Sequence, residues 1–197
     1  MKILVIDTET GGLDPQKHSL LSIAGVMISD DNGWKMCELF NILVKEDTLH
    51  LEEAAMKVNK INILEHCAVA LTPQQAVGRI NMALAENFGV EKIVIAGHNV
   101  NFDIGFFKRL WEMGVTSDIE SFSRKFSFRS IDTATIAYFL QLSGFGSKKE
   151  SVNLDFFLKL ANIEKEDNVR HTAIGDAILT AKALINILIK FSKFAIN

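Results

Sequence analysis

Four acids and a histidine stand where a buried core has little use for them. Asp7 and Glu9 close the β-branched run Ile3–Ile6 with one threonine between them. Residues two apart on a strand point to one face, so both carboxylates project together from the strand's end. Like charges at that spacing raise each other's pKa unless a cation or a donor compensates. Taken alone, the pair reads equally well as two solvated acids.

Asp103 ends the segment His98-Asn99-Val100-Asn101-Phe102-Asp103, just after the apolar run 92–96. It falls in the first turn of a helix, where the dipole favours an anion. Asn99 or Asn101 can cap that helix. His171 and Asp176 form the third group. With Thr172 as N-cap, Asp176 lies one turn into the last helix. Five residues turn a helix by roughly 500°, so His171 meets Asp176 only from the preceding loop. A loop histidine beside a fixed helical acid suits a proton carrier next to a metal ligand; a surface histidine is the plain alternative.

Gathered at one sheet end, these groups make a more specific signal than any of them alone. Carboxylate oxygens favour Mg²⁺ or Mn²⁺ over zinc, which calls for more His or Cys. Four negative charges match two divalent cations, the arrangement that serves in-line displacement at phosphorus.

The elements that must position them follow from periodicity and turn chemistry. Strands are predicted at Ile3–Asp7, Leu20–Ile28, Trp34–Val44, Lys92–Ala96 and Ser130–Asp132, with a hairpin turn over Ser29–Gly33. Helices are predicted at Leu51–Val58, Ile63–Ala70, Pro73–Phe88, Phe102–Met113, Thr133–Leu142, Leu154–Ala161 and Ala173–Phe194. Thr72 caps the third of these, and Asp132 caps the helix that begins at Thr133. The last helix carries Ala177, Ala181, Leu184 and Leu188 in a broad apolar stripe that belongs to the core. The mixture predicts an α/β fold, a central mixed β-sheet flanked by α-helices.

A chain of 197 residues, 48% hydrophobic, with two prolines and no linker-like tract, reads as one domain over residues 1–197. The net charge of −3 excludes the broad basic footprint of a DNA-coating protein. It leaves room for an enzyme that grips one strand end through cations. Cys37 and Cys67 lack metal or disulfide spacing and read as reduced, buried thiols. No run is long and apolar enough for a signal peptide or a membrane span, so the expected location is the cytoplasm, without membrane contact. Most of the fourteen phenylalanines, with Phe102, Phe106 and Phe107 on one helix, read as core. Lys148 and Lys149 read as a solvated loop, and His18, His50 and His66 as surface.

The three motifs, Val5-Ile6-Asp7-Thr8-Glu9-Thr10-Gly11-Gly12-Leu13, Gly97-His98-Asn99-Val100-Asn101-Phe102-Asp103 and His171-Thr172-Ala173-Ile174-Gly175-Asp176, resemble those of the DEDDh 3′→5′ exonucleases, the DnaQ-like family. The resemblance runs from residue 3 to about residue 185. It implies a ribonuclease H-like fold, with Asp7, Glu9, Asp103 and Asp176 holding two divalent cations, Mg²⁺ or Mn²⁺. It implies His171 as the general base for the attacking water. Thr10, Gly12 and Leu13, with Asn99, are implied as contacts to the terminal nucleotide. The implied activity is release of nucleoside 5′-monophosphates from the 3′ end of DNA, single-stranded or frayed. An RNA 3′-end-trimming exoribonuclease is the alternative, and a DNA polymerase subunit a possible partner. A non-catalytic nucleic-acid-binding scaffold predicts loss of an acid or the histidine, and all five are present. Many family members have Thr-Thr-Gly after the glutamate; here the residues are Thr10-Gly11-Gly12, which bears on nucleotide contacts and leaves the metal acids intact.

Overall fold

The computed structural model describes residues 1–115, 121–164 and 171–192. In chain order the elements are β1 (Lys2–Thr10), β2 (Leu20–Ser29), β3 (Lys35–Leu43), α1 (Glu53–Asn59), α2 (Ile63–Val69), α3 (Pro73–Asn87), β4 (Ile93–Gly97), α4 (Val100–Gly114), α5 (Phe122–Lys125), β5 (Phe126–Asp132), α6 (Thr133–Leu142), α7 (Leu154–Leu160) and α8 (Ala173–Ser192). The first three strands form an antiparallel meander; β4 and β5 join β1's other edge in parallel. The order β3-β2-β1-β4-β5 is the mixed sheet predicted, with β1 at its centre.

Alternation along β1 sorts the core onto two faces. Leu4 and Ile6 pack with Ala76, Ile80, Val100 and Phe106 of α3 and α4. Ile3 and Val5 pack with Ala173, Ala177, Ala181 and Leu184 of α8. Small residues on that stripe let α8 lie close to the sheet. The helix is buried on a second side too, where Leu179, Ala183 and Ile187 meet Ala137 and Phe157 of α6 and α7. Thr72 and Gln75 form a capping box at the start of α3, with Pro73 in the first turn.

Several expectations need correction. β1 runs three residues past Asp7, so Asp7, Thr8 and Glu9 all lie within the strand. β5 starts at Phe126 and follows the short α5, because an edge strand carrying Ser127, Arg129 and Ser130 hides its alternation among polar residues. Cys37 is exposed on edge strand β3 and Cys67 half-buried, so neither is a core thiol. His66 is buried, its Nε2 2.8 Å from the Val44 carbonyl oxygen, and His18 is half-buried. Most described phenylalanines are core or packed against it as predicted, Phe106 and Phe107 among them, while Phe128 and Phe139 are exposed. The Asn99 side chain does not cap α4. The predicted last turn of α8, at residues 193–194, lies outside the described residues. No described helix is long and apolar enough to cross a membrane.

Candidate active site

β1 overhangs its parallel neighbour. Its pairing with β4 covers Ile3, Leu4 and Val5, and β4 ends at Gly97. The residues beyond, Asp7 to Thr10, keep β2 on one side and face the opening of α4 on the other. Gly97 permits that approach: a Cβ there would stand 3.0 Å from the Ile6 carbonyl oxygen and 2.9 Å from the Val100 side chain. Asn99 adopts the left-handed conformation, φ 60°, and α4 starts over the sheet's end.

Asp7 and Glu9 share the face of Ile3 and Val5, which α8 covers, and both are half-exposed where the rest of the strand interior is buried. Thr8, between them, points to the other face. Its hydroxyl donates to Oδ1 of Asp103 at 2.7 Å. Asp103 is only 4% exposed. Burial, together with the nearby charge of Glu9, pushes its carboxyl up to about 7, against the pull of the Thr8 hydroxyl and the backbone N–H groups of Asp103 and Thr8. β1 and α4 therefore bring Glu9, Thr8 and Asp103 together.

Asp176 sits one turn into α8, half-buried, on the helix that covers Asp7's face. Thr172 caps that helix as predicted, its Oγ1 accepting from Gly175 N–H at 3.2 Å. His171 precedes the cap, exposed, with φ 61°. No three of the described His, Cys, Asp or Glu side chains stand close enough to hold an ion. The acids converge on one end of the sheet by element placement rather than in a closed cluster.

The residues after the first motif form a turn held from several sides. Thr10 Oγ1 donates to the Gly12 carbonyl oxygen at 2.8 Å, and Asn59 donates to the Thr10 carbonyl oxygen at 3.1 Å. Gly11 donates to Ser19 O and accepts from Glu52 N–H, at 2.8 and 2.6 Å. A Cβ at Gly11 would stand 2.4 Å from the His50 carbonyl oxygen, so the segment at residues 50–52 requires glycine here. That is the physical reason for the departure noted in the first motif. Leu13, at the turn's tip, is 78% exposed.

Two contributors escaped the sequence reading. Thr8 had a signal, its alternation away from the acids. Asp132 was assigned only to α6, yet Oδ1 also accepts from Asn99 N–H at 2.8 Å and Val100 N–H at 3.3 Å. With its bonds to Ala134 and Thr135, one carboxylate caps α4 and α6 together. These bonds hold its pKa low against burial.

The exonuclease family model of ribonuclease T type matches residues 4–184. The chain belongs to the exonuclease family. This exonuclease is 28% identical to ribonuclease T of Wigglesworthia glossinidia brevipalpis, across 96% of the chain and 86% of the relative. Its fold superposes on E. coli exonuclease I in complex with a dT13 oligonucleotide, with TM-score 0.74 and 17% identity over 98% of the chain. A zinc-bound form of the E. coli exonuclease I–ssDNA complex aligns with the same TM-score and 18% identity over 98% of the chain. The chain spans about two-fifths of exonuclease I, 42% and 41% of the two structures. Its activity class is therefore 3′→5′ exonuclease, metal-dependent as the family is.

By donor chemistry, though not as a closed cluster among the described residues, the acids suit a metal. An all-oxygen set of acids is the donor chemistry of hard divalent cations. Burial, with the charge of Glu9, disfavours the Asp103 carboxylate, and a cation would favour it.

Proposed function

We propose that this exonuclease hydrolyses the terminal phosphodiester at the 3′ end of DNA, single-stranded or frayed, releasing nucleoside 5′-monophosphates. The observation that carries the reading is the Thr8–Asp103 hydrogen bond, within reach of the Glu9 charge, at the overhanging end of β1. Asp7, Glu9, Asp103 and Asp176 would hold two divalent cations, Mg²⁺ or Mn²⁺. When bound, these supply positive charge to the phosphate oxygens as negative charge builds on them. His171 takes a proton from the attacking water as its oxygen bonds to phosphorus; the bond to the 3′ oxygen of the preceding nucleotide breaks, and that oxygen leaves with the electron pair and takes a proton from solvent. Its exposure at the mouth of α8 lets it pass that proton to solvent. The Thr10–Leu13 turn, with Asn99, receives the terminal nucleotide. Trimming of RNA 3′ ends is the second reading, favoured by similarity to ribonuclease T over most of that relative's length. The enzyme works in the cytoplasm, and a DNA polymerase subunit is a partner to seek by co-purification.

The test uses matched single-stranded DNA and RNA labelled at the 5′ end, with Mg²⁺, Mn²⁺ or EDTA. A ladder shortening from the 3′ end, abolished by EDTA and by Asp7→Ala, is the expected result. The faster substrate decides between the readings. Cleavage undiminished in folded Asp7→Ala overturns the metal assignment.

A further inference from the structure

The turn at Thr10–Leu13 rests on a polar brace formed by His18, Arg109, Glu46 and Glu52. Gly12 lies flat against the His18 imidazole; a Cβ at residue 12 would stand 2.5–2.7 Å from the ring atoms. Both ring nitrogens are engaged. Nδ1 accepts from Asp14 N–H at 3.1 Å, which leaves the proton on Nε2, facing Glu52 Oε1 at 3.0 Å. The ring thus spans the turn from Gly12 to Asp14 and ties it to the segment that begins α1.

Arg109 holds the other end. Its Nη1 donates to the His18 carbonyl oxygen at 2.7 Å, while Nη2 pairs with Glu46 Oε2. The Glu46 side chain is 8% exposed and accepts from Leu20 N–H through Oε1 at 3.3 Å. A guanidinium serves two acceptors in one plane, which an ammonium on a flexible stem does not reproduce. Arg109 stands on α4 six residues after Asp103. One rigid helix therefore carries a proposed metal acid and the anchor of the turn beside it.

We propose that His18 and Arg109 are positioning residues for the 3′-terminal nucleotide. They fix the height and tilt of the Thr10–Leu13 turn relative to α4 without touching the substrate. The inference rests on the reading that this turn receives the nucleotide. The half-buried Arg109–Glu46 pair keeps the turn preformed, so binding the strand end costs little ordering.

The experiment measures KM and kcat on a 5′-labelled oligonucleotide and inhibition by adenosine 5′-monophosphate, in His18→Ala, His18→Asn, Arg109→Met, Arg109→Lys and Leu13→Ala. Assays run well below each variant's melting temperature. His18→Ala and Arg109→Met are expected to raise KM about tenfold with kcat within about threefold, the pattern of lost uniform binding. Inhibition by the monophosphate weakens in parallel. His18→Asn, which keeps an acceptor where Nδ1 stands, recovers part of the loss; Arg109→Lys recovers less. If Leu13→Ala raises KM while folded His18 and Arg109 variants do not, the brace has no such role and the reading of the turn stands. A fall in kcat at unchanged KM overturns the inference as well. If Leu13→Ala moves neither KM nor inhibition, the reading of the turn falls, and the inference with it.

Discussion

The Thr8 hydroxyl meets Oδ1 of Asp103 at 2.7 Å, so the residue between two acids of one strand serves a third acid from the opposite face. It is a neutral donor to a carboxyl that burial raises. Thr8→Val keeps the shape and removes the bond. The net loss is about 1 kcal/mol of stability, and the carboxyl moves further up. Activity against pH should show an acid limb displaced to higher pH in Thr8→Val, with the plateau rate retained under saturating Mg²⁺.

In the metal-free protein, Asp103 should cost stability as pH rises towards neutral. Asp103 is raised from 3.8 to about 7, so the folded state holds its proton more tightly than the unfolded chain. Its contribution is fully present below pH 3.8 and is lost as pH rises through about 7. In EDTA, wild type should lose melting temperature relative to Asp103→Asn between pH 4.5 and 7.5. Added Mg²⁺ should restore more at the higher pH. A difference between the two proteins that does not vary with pH refutes the shift.

His171→Ala should cost about 10²–10⁴-fold in kcat, the usual range for a general base. Mn²⁺ affinity, followed by calorimetry, should stay within experimental scatter of wild type. Collapse of metal affinity with an unchanged rate per bound metal would give the histidine a different role.

Gly11→Thr restores the residue many family members carry, and it should destabilise this chain. The new Cβ collides with the His50 carbonyl oxygen and Leu51, at 2.4 and 2.8 Å from their present positions. Overpacking of this kind costs about 1–3 kcal/mol. Urea denaturation measures it; a variant as stable as wild type would mean that residues 50–52 move aside freely.

Much of the site was legible because its signals are local. Asp-Thr-Glu after a β-branched run, a threonine before α8 and an aspartate before α6 each advertise a role within a few residues of themselves. What escaped depends on pairing across the sheet. Asp132 and Gly97 are register partners on β5 and β4, and only that pairing lets the Asp132 carboxylate reach the start of α4. His18 and His66 have no sequence neighbour that marks them as enclosed; Gly12 and the Val44 carbonyl oxygen do so in space. The edge strand β5 was cut short for the same reason, since its polar half pairs with β4 without being buried by it.

α8 follows every described strand in chain order, yet its small-residue stripe packs on Ile3, Val5, Ala24 and Val26. During synthesis, all five strands leave the ribosome while one side of the sheet is still bare and greasy. Asp176 arrives only with the helix that closes that side. A chain stopped short of α8 would leave that apolar face open to solvent, and in the proposed site the helix that covers the face also brings Asp176.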